Sequence, residues 1–256
     1  ANWSNLADYG IEDRIYELAF AGGKIAREAA DSFSTADKPR FVLGSLGPGT
    51  KLPSLGHTTY ENLKIAYYTA AKGLSESGCD ALLVETSQDL LQVKAAVNGC
   101  RQAINESDRD IMLIAQVTVE TTGTMLLGSE IGAALNTLEP MGIDLIGLNC
   151  ATGPTEMSEH LRYLSKNAKI AISVMPNAGL PVLGANGASY PLGPEELAIA
   201  LDGFIDEYGI SLVGGCCGTT PEHLSAVVNK VSGKKIHSRT PALDPGASSL
   251  YQYVPF

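Results

Sequence analysis

The chain has 256 residues, 45% of them hydrophobic and 18% charged, which is enough apolar material for one domain with a sizeable core. Its formal net charge of -10 argues against a nucleic-acid surface, and no run of about 18 apolar residues suggests a membrane span. Five cysteines, an odd number, with no secretory leader pattern, favour a reducing compartment, a cytoplasmic setting and metal chemistry over a disulfide framework.

In chain order, apolar residues at helical spacing predict a helix from about Leu6 to Ala30, and Phe41 to Leu46 follows as a short strand. A helix from about Thr59 to Glu76 leads to strand Ala81 to Glu85, and one from about Gln88 to Ile104 leads to strand Ile111 to Thr118. A helix from about Ser129 to Met141 precedes strand Leu145 to Leu148, and a helix from about Thr155 to Lys166 precedes strand Ile170 to Val174. Helix Pro194 to Tyr208, strand Ser211 to Gly214 and helix Pro221 to about Val231 complete the pattern. The tail from Ser232 reads as irregular. Near-continuous apolar strands alternating with helices indicate parallel strands buried on both faces. No glycine-rich phosphate turn follows the first strand, so a dinucleotide-binding sheet fits poorly. Functional residue types at successive strand ends suit the carboxyl-terminal face of a (β/α)8 TIM barrel, of which six strands are present and two are expected to be absent.

The chemistry concentrates in Val213-Gly-Gly-Cys216-Cys217-Gly-Thr-Thr-Pro221. Neighbouring side chains on a regular strand point to opposite faces, so two adjacent thiols reach one ion only where the pleat is broken, and Gly215 and Gly218 permit the break. Cys150 ends the apolar run Asp144 to Cys150. Three sulfurs at strand ends suit a zinc site with one position open, whereas a bare cysteine pair reads more readily as small buried packing residues. Cys79 and Cys100 lie outside these motifs and read as packing residues.

Gly-Gly-Cys-Cys-Gly-Thr-Thr-Pro-Glu-His at 214 to 223, Gly-Leu-Asn-Cys at 147 to 150 and Met-Pro-Asn-Ala-Gly-Leu-Pro at 175 to 181 resemble the homocysteine S-methyltransferase family. Within it the match is closest to the homocysteine-binding modules of cobalamin-dependent methionine synthases. The resemblance implies zinc on Cys150, Cys216 and Cys217, homocysteine as substrate, and methylcobalamin, carried by another module, as methyl donor. It also implies that Asn177 holds the zinc through its side-chain oxygen before substrate arrives, and that Glu85 takes the substrate ammonium. Asn149 is expected to hold the loop bearing Cys150, with Gln116 and Thr118 as pocket candidates. From the residues alone, Asn177 equally bends its Pro-Asn-Ala-Gly loop, and the lesser reading of Glu85 is an N-cap or first-turn charge of the next helix. His223 falls in a helix start, with Thr220 as N-cap and Pro221 at the first position, and is assigned no role.

The family's opening Asp-Gly-x-x-Gly-Thr and Glu-Thr-Asn strand signatures do not occur here, which is why two strands are expected to be absent. Residues 1–232 are read as the barrel and 233–256 as a linker toward a folate-binding module. The partners expected are cobalamin- and folate-binding modules of the same parent chain, without nucleic acid or membrane. Stand-alone methyltransferases using betaine or S-methylmethionine share the cysteine motifs and remain an alternative, as does a non-catalytic zinc- or thiol-binding barrel.

Overall fold

The computed structural model describes residues 2–184, 187–242 and 244–256. Its main sheet has six strands in the order β1 (Leu43–Leu46), β2 (Ala81–Ser87), β3 (Met112–Val117), β4 (Leu145–Asn149), β5 (Ala171–Met175) and β8 (Leu212–Val213). Strand order follows chain order with a helix between neighbours, the repeat of a partial (β/α) barrel. The chain divides into two compact units, Ala1–Ala115 and Gln116–Phe256, with the division inside β3.

In the first unit, α1 (Trp3–Ala7) and α2 (Ile15–Phe33) replace the single helix predicted from about residue 6. Gly10, at φ +65°, takes the left-handed conformation that ends a helix, and the pattern restarts after a 3₁₀ turn at Glu12–Arg14. Helices α3 (Tyr60–Ser77) and α4 (Leu90–Asn105) are capped by Thr59 and Asp89, whose side chains accept from Asn62 N and Leu91 N. The helices approach closely through glycine: a Cβ at Gly73 would lie 2.6 Å from Tyr16 O, and one at Gly99 2.5 Å from Lys64 O. β1 and β2 pair in parallel from Leu43↔Ala81 to Leu46↔Val84.

In the second unit, β4 and β5 pair in parallel along five residues, and β5 pairs with β8 through Ser173↔Leu212 and Val174↔Val213. All five residues of β4 are buried, as expected for a strand covered on both faces. A Cβ at Gly147 of β4 would meet Ser173 Oγ at 2.1 Å and Ser173 O at 2.2 Å, so the β4–β5 contact depends on its absence. Helix α5 (Ile131–Leu138) gives way to a 3₁₀ turn at Glu139–Met141, where Pro140 cannot donate to the helix. Helices α6 (Pro154–Asn167), α7 (Pro194–Tyr208) and α8 (Pro221–Val231) each begin with proline, pre-set for the first turn.

Two small antiparallel hairpins lie outside the predicted elements. One pairs β6 (Val182–Gly184) with β7 (Gly187–Ser189). The other pairs β9 (Gly246–Ser248) with β10 (Tyr253–Pro255), so the tail is less irregular than its composition suggested. It folds back onto its own unit: Arg239 donates to Ala168 O (2.7 Å) and Ile170 O (2.5 Å), and Asn136 Nδ2 donates to Ser248 Oγ (2.8 Å). Strands of three residues are set by tertiary contacts and carry too few positions for a period. Among the described residues, no helix is long and apolar enough to cross a membrane.

Candidate metal centre

Three loops of the second unit meet beyond the carboxyl ends of β4, β5 and β8, and backbone hydrogen bonds fasten them to one another. Cys150 N donates to Met175 O (3.2 Å) and Asn177 N to Thr152 O (3.0 Å), joining the β4 loop to the β5 loop. Cys216 N donates to Pro176 O (2.8 Å) and Ala178 N to Cys217 O (2.9 Å), joining the β5 loop to the β8 loop. Cys150 and Ala151 adopt left-handed backbone at φ +62° and +57°, which costs about 1–2 kcal/mol per residue for side chains bearing a Cβ. Such strain persists only where neighbouring bonds over-determine it, and it turns the Cys150 sulfur toward the β8 loop.

The result is a cluster of thiols. Cys150 Sγ lies 3.7 Å from Cys217 Sγ, which lies 3.9 Å from Cys216 Sγ, and all three fall within 4.8 Å of one another. Tetrahedral zinc with bonds of about 2.3 Å requires sulfurs about 3.8 Å apart. The two separations of 3.7 and 3.9 Å fit that ion, and three donors would leave its fourth position open. Without an ion, the Cys150 thiol is pulled down to about 6, chiefly by the hydrogen bond from Cys216, with burial opposing and Ala151 N–H, Cys217 and Asn177 assisting. Cys216 is pushed up by the same bond, by burial and by the charge of its neighbours. The cluster thus readily gives up a first proton and resists giving up a second, as expected of sulfurs gathered without a cation. Cys79 and Cys100 are buried packing residues, and burial raises both thiols.

Asn149 and Asn177 are buried beside the sulfurs. Asn149 Nδ2 lies 3.8 Å from Cys216 Sγ, while its backbone carbonyl accepts from Thr118 Oγ1 (3.1 Å). Asn177 Oδ1 accepts from Cys217 N (3.1 Å). Gln116 is fully buried on β3, donating to Ser173 Oγ (3.1 Å), with no partner for Oε1 among the described residues.

Glu85 belongs to the first unit, near the end of β2, where Ser45 Oγ on β1 donates to its carboxylate. It does not cap α4, since Asp89 does. His223 stays out of the cluster: Nδ1 accepts from Thr220 N (3.2 Å) and Nε2 faces Leu192 O (2.9 Å). Sequence reasoning missed Tyr190, whose ring lies against Gly218, the residue after Cys217. Its one local signal is an aromatic residue directly before Pro191 at a helix approach.

Converging cysteine sulfurs beyond the ends of parallel strands form a group able to hold a metal ion on a partial (β/α) barrel. A model of the family described as Homocysteine S-methyltransferase matches residues 1–231, and the chain belongs to that family. It is 62% identical over 255 residues to a methionine synthase of Mycobacterium tuberculosis, covering 100% of this chain and 21% of the relative. With a methionine synthase of Mycobacterium leprae it is 60% identical over 260 residues, covering 100% of this chain and 22% of the relative. The chain spans about a fifth of the length of these curated relatives. Among solved structures, the metallated form of the homocysteine methyltransferase MmuM from Escherichia coli superposes with a TM-score of 0.69 at 18% identity, over 90% of this chain and 76% of that one. Its apo form gives 0.66 at 20% identity, over 84% and 74%. At such identity the likeness is one of fold.

Proposed function

We infer that the chain is the homocysteine-binding module of a cobalamin-dependent methionine synthase, acting in methyl transfer to the thiol of homocysteine to give methionine. The observation that carries this reading is the sulfur triad, spaced for zinc, in a chain of this family. Cys150, Cys216 and Cys217 would hold the ion, whose chemistry is to lower the pKa of an incoming thiol from about 8.5 so that it reacts as thiolate near neutrality.

The protein's own groups hold and orient. Asn149 and Asn177 hold the loops that carry the sulfurs, and Asn177 Oδ1, which accepts one bond from Cys217 N, would have a second lone pair to offer an ion. Glu85 is the candidate for the substrate ammonium. Methylcobalamin is the donor in this reading, carried by another module, with a folate-binding module following the 233–256 segment in a cytoplasmic parent chain. Residues 1–232 are then the homocysteine-binding barrel. The identity to methionine synthases over the whole chain supports this donor over betaine or S-methylmethionine.

The test is methionine formation by the full-length protein from homocysteine with methylcobalamin, betaine or S-methylmethionine at matched concentration, with Cys217→Ala as control. Turnover with methylcobalamin that the variant loses is expected. Faster turnover with betaine would overturn the assignment.

A further inference from the structure

Hydrogen bonds run in a closed circuit that starts and ends at Cys217. Its carbonyl oxygen accepts from Ala178 N (2.9 Å), the carbonyl of Ala178 accepts from Leu192 N (2.9 Å), and the carbonyl of Leu192 lies 2.9 Å from His223 Nε2. His223 Nδ1 accepts from Thr220 N (3.2 Å), and Thr220 stands three residues past Cys217 in the chain, which completes the circuit. An imidazole nitrogen that accepts carries no proton, so Nε2 holds the proton of the neutral ring and donates to Leu192 O. The other backbone group of the cysteine is tied as well, since Cys217 N donates to Asn177 Oδ1 (3.1 Å). Tyr190, two residues before Leu192, lays its ring against Gly218, where a Cβ would overlap it; Gly218 also sits at φ +77°, so glycine serves there both for its backbone and for the room it leaves.

The link at residue 223 makes a double demand. It is the third residue of α8, where the side chain returns a bond to the N-cap amide, a role ordinarily filled by glutamate or glutamine as acceptor. A carboxylate there would satisfy Thr220 N but has no proton for Leu192 O. Histidine accepts with one nitrogen and donates with the other, and at 8% exposure it does so away from competing water. We propose that His223 is a positioning residue of the candidate metal centre: by donating to Leu192 O it fastens the segment entering α7 to the start of α8, and so fixes the backbone from which Cys217 presents its sulfur. This rests on the zinc-site reading above. It gives His223 a task that does not involve ligation.

The experiment compares wild type, His223→Glu and His223→Gln in the full-length protein. Glutamate keeps the helix cap and removes the donor, whereas glutamine offers both an acceptor and a donor. Zinc retained against a competing chelator is measured, and backbone amide exchange is followed in the metal-stripped protein. In His223→Glu the amides of Ala178 and Leu192 should exchange about 10-fold faster, and zinc should bind about 10-fold more weakly. The added negative charge would by itself favour a cation, so weaker zinc binding reports the lost bond. Amides in the body of α8, near Val227, should exchange as in wild type, and His223→Gln should restore both readouts. Wild-type zinc affinity in His223→Glu, an equal loss in both variants, or faster exchange throughout α8 overturns the proposal and leaves the zinc site standing. A wild type that retains no zinc overturns both.

Discussion

Replacing Cys150 separates two effects that the structure puts on one residue. Its sulfur is one corner of the triad, 3.7 Å from Cys217 Sγ, and its backbone sits in the left-handed region at φ +62°. Zinc binds four-ligand peptide sites with about 10–16 kcal/mol, so exchanging one thiolate for water removes about 3 kcal/mol. At about 1.4 kcal/mol per tenfold, the zinc dissociation constant should rise by about two orders of magnitude. Cys150→Ala and Cys150→Gly should lose this equally. They should differ once the metal is stripped, because alanine retains the left-handed cost of about 1–2 kcal/mol whereas glycine escapes it and gives back about 0.5–1 kcal/mol in chain entropy. The glycine variant should therefore be the more stable by about 0.5–1 kcal/mol in urea denaturation. A full equivalent of zinc held by Cys150→Ala against a chelator would refute the three-sulfur site, and an alanine variant as stable as the glycine one would refute the strain argument.

In the metal-stripped protein, alkylation of Cys150 by iodoacetamide should follow a thiolate of pKa about 6, against about 8.5 for an ordinary thiol. Because the folded value is the lower one, this group's stabilisation is complete above about pH 8.5 and is lost as pH falls through about 6; an ordinary alkylation midpoint would refute the assignment. Gly147→Ala should destabilise the second unit by about 1–3 kcal/mol or more, since its Cβ would meet the backbone oxygen of Ser173 at 2.2 Å. Gly203→Ala on α7, where a Cβ meets nothing within 4 Å, should instead stabilise by about 1 kcal/mol; thermal melts that do not separate the two variants would count against the packing account.

Much of the fold is legible because its signals are local. The strands from β2 to β5 are short apolar runs buried along most of their length, and the helices of the second unit announce themselves by proline at the first turn. Gly10 was harder to read, since one glycine inside an apolar period is often tolerated, yet here it takes φ +65° and splits the opening helix. The β6–β7 and β9–β10 hairpins were invisible because each strand has three residues and owes its place to tertiary contacts such as that of Asn136 with Ser248. The triad itself was legible from a cysteine doublet between glycines and a third cysteine at a strand end. What the doublet could not disclose was that Cys150 and Ala151 must turn left-handed, or that Tyr190 comes to rest beside Cys217 through a glycine and a histidine more than 25 residues further on.

These particulars bear on how the centre can work. The three cysteines stand on two footings: Cys150 on a strained turn after β4, and Cys216 and Cys217 on a glycine-broken segment after β8, with the β5 loop bonded to both through Thr152 O, Pro176 O and Cys217 O. Because those bonds exist among the protein's own groups, Cys217 stands about a zinc-site edge from each of the other two sulfurs without an ion, and metal binding need not order the loops. In the reading proposed above, the free energy of ligation would then go into holding the ion while a substrate thiol takes the open position. A site with that task needs a frame that does not relax when a ligand leaves. The strain at Cys150 and Ala151 is consistent with such a frame, since left-handed residues bearing a Cβ persist only where surrounding bonds outweigh their cost.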